Sequence, residues 1–234
     1  GKLLDAIASK GLEKNTSIIL WGDHGWHLGD HALWAKLSNF EQATRSPLII
    51  FDPDMEPGII NSSPTEFVDI FPTLNELAGL PQPENLQGLS LIPIMKGKSK
   101  KIKDFAISQY PRGKIMGYAL RNNRYRYVAW YKDRNNVNDA EIIVKELYDY
   151  KNDPNETVNI VGIERDLAEL LQSQLSAFLK NQFDEKKKFK LTQPVINKTS
   201  EKINIKAYNS QNLLKNSGFE DGEIGWTKGK GCPI

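Results

Sequence analysis

Cysteine occurs once in these 234 residues, at Cys232, so no disulfide framework staples the fold and the redox compartment cannot be read from thiol usage. No apolar run approaches the ~20 residues that a membrane-spanning helix needs. Neither a signal peptide nor an initiator Met is present. Charge of either sign is almost cancelled: 31 basic and 29 acidic residues leave a formal net charge of +2. That excludes a global field able to draw nucleic acid or a membrane surface, so any polyanionic partner must be held locally. What is abundant is ordinary: 39% hydrophobic and 26% charged residues describe globular material, enough for one large domain or two small ones.

The chain opens on GKLLDAIASKGLEKN, where Leu3, Leu4, Ile7 and Ala8 form a helical stripe and Gly11 can end it. A helix already under way at the first residue leads us to expect part of a longer protein. Two short apolar, β-branched runs follow, Thr16 to Trp21 and Pro47 to Phe51, each with the texture of a buried strand. Helix, strand, loop, strand is the grammar of an α/β sheet covered by helices. Phe67-Val68 reads as a strand end feeding a helix from Asp69 to Gly79, which places Pro72 in the first turn, where its missing N–H costs nothing. From residue 105 the texture changes. Residues 118–131 predict an aromatic β-hairpin about Asn122-Asn123, and residues 145–150 a further strand. Over residues 164–180, Leu167, Leu170, Leu171, Leu175, Phe178 and Leu179 share one face of a covering helix. The expected organisation is an α/β portion over 1–104, an antiparallel-sheet subdomain over 105–183, a polar linker over 184–206, and the start of a β-sandwich over 207–234.

Histidine is the second scarcity, and its distribution is the strongest signal in the chain. All three histidines, His24, His27 and His31, fall within WGDHGWHLGDH. Their i, i+3, i+7 spacing would suit a helical three-histidine zinc site. Gly22, Gly25 and Gly29 argue for a loop instead, since each weakens a helix by about 1 kcal/mol. Asp23 and His24 then leave the end of a strand, where ligands collect in open α/β sheets. A carboxylate with an imidazole suits Ca²⁺ or Mg²⁺ if further carboxylates join them, and Zn²⁺ if nitrogen ligands dominate. The bland reading of Asp-His-Gly is a simple turn. Trp26, Trp34 and Lys36 follow closely, and aromatic walls beside a cation suit an anionic sugar ring. His27 and Trp26 are candidates for substrate contact, with a satisfied structural imidazole as the alternative for His27 and loop packing as the alternative for Trp26.

The stretch SIILWGDHGWHLGDHALWAKLSNFEQATRSPLIIF resembles the second metal-binding segment of the sulfatases of the alkaline phosphatase superfamily. VDIFPTLNELAGLP and LQGLSLIPIM continue the likeness. SQYPRGKIMGYALRNNRYRYVAWY and ELYDYKNDPNETVNI resemble the iduronate-2-sulfatase group within that family. The likeness covers roughly residues 1–180. It implies the remainder of an alkaline-phosphatase-like α/β sandwich followed by a small antiparallel sheet, with Asp23 and His24 as ligands of an active-site Ca²⁺ and Lys36 as the cation that meets the sulfate.

Such a site cleaves a sulfate ester by electrostatic clamping of the charge that develops on the sulfate and leaving oxygens. The family's nucleophile is a formylglycine made by a maturation enzyme from Cys-x-Pro-x-Arg. Cys232-Pro233-Ile234 has the wrong spacing and lacks the arginine. The expectations are therefore a sulfatase portion inactive by itself, from a secreted or periplasmic protein acting on a sulfated carbohydrate. No nucleic-acid partner is expected. The segment NLLKNSGFEDGEIGWTKG, 212–229, resembles the opening strand of a galactose-binding-like module. The alternatives are a phosphodiesterase or phosphonate hydrolase of the same superfamily, or a non-catalytic sugar-binding protein.

Overall fold

The computed structural model describes residues 1–137 and 140–192, with side chains as far as residue 182. The candidate sandwich strand and residues 193–206 of the expected linker lie outside the described residues.

α1 (Lys2–Ser9) leads through a 3-10 turn to β1 (Ile18–Trp21). The histidine stretch then forms a small hairpin, β2 (His27–Leu28) against β3 (Trp34–Ala35), with His27 opposite Ala35. The one-turn helix α2 (Glu41–Thr44) precedes β4 (Leu48–Phe51), which pairs antiparallel with β1 so that Trp21 faces Leu48. α/β character holds, but these two strands are not buried. Leu20, Trp21, Ile49 and Phe51 are exposed, and among the described residues nothing covers them. Their apolar composition is that of strands covered on both faces.

Phe67–Asp69 is a 3-10 turn rather than the expected strand end. α3 (Ile70–Leu77) starts immediately after Asp69, and Pro72 falls in its first turn as expected. Asp69 does not cap α3, however. Its buried carboxylate closes a capping box with Glu66 around the 3-10 turn and also accepts from Leu89 N and Lys103 Nζ. α4 (Ile92–Met95) follows.

The second half is a four-stranded antiparallel meander, β5 (Ala106–Arg112), β6 (Ile115–Arg121), β7 (Tyr125–Tyr131) and β8 (Ile142–Asp149). Alternation assigns one face to Leu120, Tyr127, Ala129 and Leu147, all fully buried. That face packs on α5 (Arg165–Thr192) through Leu171, Leu175 and Leu179. Leu170 instead points outward, 56% exposed. α5 runs on through Asp184–Lys188 to Thr192, into the stretch whose polarity suggested a linker. Lysine and glutamate are good helix formers, so the charged stretch is compatible with a continuing helix.

The opposite face of the sheet is clamped to residues 38–44. Asn39 Nδ2 donates to Gly117 O, and Ser108 Oγ donates to Asn39 Oδ1. At the centre, the buried Arg126 donates to Glu156 Oε1 at 2.6 Å, to Glu41 Oε2 at 2.5 Å and to Asn39 O. Glu156 Oε2 in turn accepts from Glu41 N. With Arg121 Nε on Glu41 and its guanidinium 3.7 Å above the Tyr150 ring, two cations meet two carboxylates. Such closure is what lets ionised groups remain dry.

Candidate active site

β1 ends at Trp21, and the next four residues leave the strand as a loop nailed to its neighbours. Gly22 N donates to Pro47 O, Ser46 Oγ donates to Gly22 O, and Gly25 N donates to Ala43 O at 2.8 Å. Gly25 is obligatory, because a Cβ there would lie 2.0 Å from Gln42 O. The backbone therefore passes α2 at a distance only glycine permits, and Asp23 and His24 are left projecting.

Lys36 reaches them from the far side of the hairpin. Residues 29–35 hold Gly29, His31, Ala32 and Ala35 at positive φ, which folds β3 back on β2. Lys36 Nζ then sits 2.8 Å from His24 Nε2, and Asp23 Oδ2 lies 3.2 Å from the same nitrogen. Three residues picked from the sequence thus meet at one point. Asp23 is widely exposed and His24 about a quarter exposed. Both line an open cleft of about 1520 Å³ whose other walls include Glu41, Arg45 and Arg121. Burial works to raise the Glu41 carboxyl, but hydrogen bonds and attraction from Arg121 and Arg126 more than offset it and hold it below the usual range.

The donor set fits a divalent cation. With His24 Nδ1 donating to Gly25 O at 2.8 Å, Nε2 carries a lone pair. A carboxylate oxygen facing that lone pair at 3.2 Å is unfavourable unless a positive charge lies between or beside them. The Lys36 ammonium fills that role here. Two donor atoms about 3 Å apart also match neighbouring ligands of one ion held at about 2.4 Å. Among the described residues no group of three or more His, Cys, Asp or Glu side chains surrounds the point, where Asp23 and His24 supply two donor atoms.

Trp26 stays beside the site. Its ring lies 5.9 Å from that of His24 and is 53% exposed, free to form a wall. His27 does not. It is fully buried, bonded through Nε2 to Ser38 Oγ at 2.7 Å and set edge-on to Phe40 at 6.3 Å. A side chain without accessible surface cannot touch substrate, so His27 is a structural imidazole, satisfied at Nε2 but without a partner at Nδ1 among the described residues. His31 belongs to the same interior cluster, stacked on Phe40 at 3.9 Å. The scarce imidazoles therefore divide into one at the site and two that build the loop's small core. Reading the sequence missed the Arg126–Glu41–Glu156 network. Its one local signal was a charged residue inside the aromatic run Tyr125 to Tyr131.

Comparison with known proteins adds the family. The description N-sulphoglucosamine sulphohydrolase, C-terminal, matches residues 29–187. A sulfatase of Formosa agariphila is 36% identical over 160 residues, covering 68% of this chain and 29% of its own length. Human iduronate 2-sulfatase is 31% identical, with 73% and 43% covered. A solved structure bound to its substrate D-glucosamine-2-N,6-O-disulfate is 28% identical with a TM-score of 0.63, over 79% of this chain and 38% of that one. This chain thus spans less than half the length of these curated relatives.

Proposed function

The chain belongs to the sulfatase family, matching its C-terminal portion, and from that premise we propose that the intact protein is a sulfuric ester hydrolase acting on a sulfated sugar or uronate of a polysaccharide, in the manner of iduronate 2-sulfatase. The observation that carries this reading is the meeting of Asp23 Oδ2 and Lys36 Nζ on His24 Nε2 at the end of β1. Asp23 and His24 would hold a divalent ion, Ca²⁺ with Mg²⁺ as the alternative. When bound, such an ion stabilises negative charge that develops on the sulfate oxygens.

The chain's own residues supply the rest of the local chemistry. Gly25 O fixes the His24 tautomer and leaves Nε2 as the nitrogen that would hold the ion. Lys36, exposed beside it, contributes a compact ammonium to the sulfate head without needing to move a proton. Trp26 offers an apolar wall to the sugar. The formylglycine nucleophile and the remaining ligands would come from the rest of the protein, matured by a dedicated enzyme before export. The bare flank of Leu20, Trp21, Ile49 and Phe51 is the surface the rest of that domain would cover.

The full-length protein tests this directly. Sulfate release from sulfated saccharides is expected, together with bound divalent metal, and Asp23→Asn should lower both metal content and turnover by at least a hundredfold in rate. Preferential hydrolysis of phosphonate monoesters, or normal turnover by the Asp23→Asn protein with its metal retained, would overturn the assignment.

A further inference from the structure

On the sheet face away from α5, one cross-strand row reads Tyr110, Gly117, Trp130, Val144 in direct register across all four strands. Gly117 has a reason to be there. A Cβ would lie 2.9 Å from the Trp130 ring, so only glycine lets the indole lie across β6. Tyr110 closes on that ring edge-on at 6.4 Å. The indole is locked in place, because Trp130 Nε1 donates to Glu146 Oε1 at 2.7 Å and Tyr148 holds the other carboxylate oxygen at 2.9 Å. Above it stands the guanidinium of Arg112, 5.9 Å from the ring centroid and exposed. Among the described residues Arg112 has no carboxylate at ion-pair distance.

These side chains floor a groove of about 350 Å³ whose other wall is Leu33 and Leu37. Leu37 is 63% exposed and Val144 48% exposed. The wall segment also carries Lys36, which reaches His24, so residues 33–37 connect the groove to the candidate active site along the chain. A rigid aromatic plate matches the C–H face of a pyranose ring, and a free guanidinium above it matches a sulfate or carboxylate on that ring by two parallel hydrogen bonds. The volume is at the small end for a ligand site and suits a single sugar unit.

We infer that this groove is a second saccharide subsite, which holds an anionic sugar unit next to the one whose ester is cleaved, with Trp130 and Tyr110 as its platform and Arg112 as its anion contact. The inference rests on the sulfatase reading for its occupant. It assigns the protein a preference for chains over single sugars, set by residues that take no part in the chemistry.

The test uses the full-length protein with Arg112→Glu and Trp130→Ala, on a heparin-derived sulfated tetrasaccharide and a sulfated monosaccharide. The ratio of kcat/KM on the longer substrate to that on the shorter one should fall at least tenfold in both variants, mainly through KM. Arg112 is exposed, so its replacement leaves folding intact and carries the test even if Trp130→Ala is unstable. An unchanged ratio in Arg112→Glu overturns the subsite while leaving the sulfatase reading intact. If the wild type hydrolyses neither substrate, the sulfatase reading fails instead, and titration of the tetrasaccharide with tryptophan fluorescence still decides the groove. Saturable quenching weakened tenfold or more by Arg112→Glu supports it; no quenching, or quenching that Arg112→Glu does not alter, refutes it.

Discussion

Lys36 Nζ lies 2.8 Å from His24 Nε2, although twelve residues separate them and the hairpin between them turns on residues at positive φ. An ammonium held against an imidazole lone pair is a cation in readiness for an anion. Lys36→Ala in the full-length protein should lower kcat/KM on a sulfate ester by about a hundred- to a thousandfold, the usual loss when one preorganised contact to transition-state charge is removed. Lys132→Ala is the control, since that side chain is 68% exposed and paired only with an equally exposed Glu141. Equal effects from the two would make Lys36 an ordinary surface charge.

Gly25 and Gly113 should respond differently to the same methyl group. At Gly25 the added Cβ collides with Gln42 O at 2.0 Å, and the loop must leave α2. Loss of stability there should reach 1–3 kcal/mol or more, with loss of turnover, because Asp23 and His24 move with the loop. Gly113 meets nothing within 4 Å and has φ +61, so alanine there should cost only the left-handed strain of about 1 kcal/mol. Thermal denaturation of both variants makes the comparison, and similar shifts would mean the Gly25 loop is not tightly docked.

The Arg126–Glu156 pair is expected to be strongly coupled. Both side chains are essentially inaccessible, with Nε and Oε1 2.6 Å apart. Arg126→Met should destabilise by about 3–5 kcal/mol, because it strands the buried Glu156 carboxylate, whereas Glu156→Gln should cost less, because Arg126 keeps Glu41. The double variant should lose less than the sum of the two, by about 0.5–3 kcal/mol in a urea-denaturation cycle. Simple additivity would show that the two side chains do not act as a pair.

Asp149 should make stability sensitive to acid. Hydrogen bonds from Arg124, 2.8 Å to each carboxylate oxygen, hold its pKa at about 2 against an ordinary 3.8. A depressed carboxylate contributes stability that is complete above its unfolded value and is lost as pH falls through the folded one. Asp149→Asn should therefore be less stable than the wild type at neutral pH. Below pH 3.8 the gap should narrow, closing near pH 2. A gap constant across that range would assign the loss to packing instead of charge.

Much of the fold was legible in the residues. The hairpin about Asn122-Asn123, the helix after Asp69 and the apolar face of α5 follow from period and turn chemistry, which act within a few residues. The same locality explains the misreadings. Phe67-Val68 has β-forming side chains, yet the reciprocal bonds of Glu66 and Asp69 close a 3-10 turn there. Asp184–Lys188 is polar, and its polarity could not reveal that the helix beneath it continues. β1 and β4 have a composition suited to full burial and lie half bare, because burial depends on what packs against a strand and not on the strand itself.

The sequence alone determined the chemistry on offer at the loop: a carboxylate, an imidazole and an ammonium spaced by glycines, since side-chain type and backbone freedom belong to each residue. Which imidazole serves the site was decided only in three dimensions. His24 and His27 stand three positions apart with identical side chains, and the docking of Gly25 on α2 turns one outward to Asp23 and Lys36 while Ser38 and Phe40 enclose the other. Contacts between distant residues, Arg126 with Glu156 or Trp130 with Tyr110, leave no periodic trace in the chain, because through-space pairing carries no sequence spacing of its own.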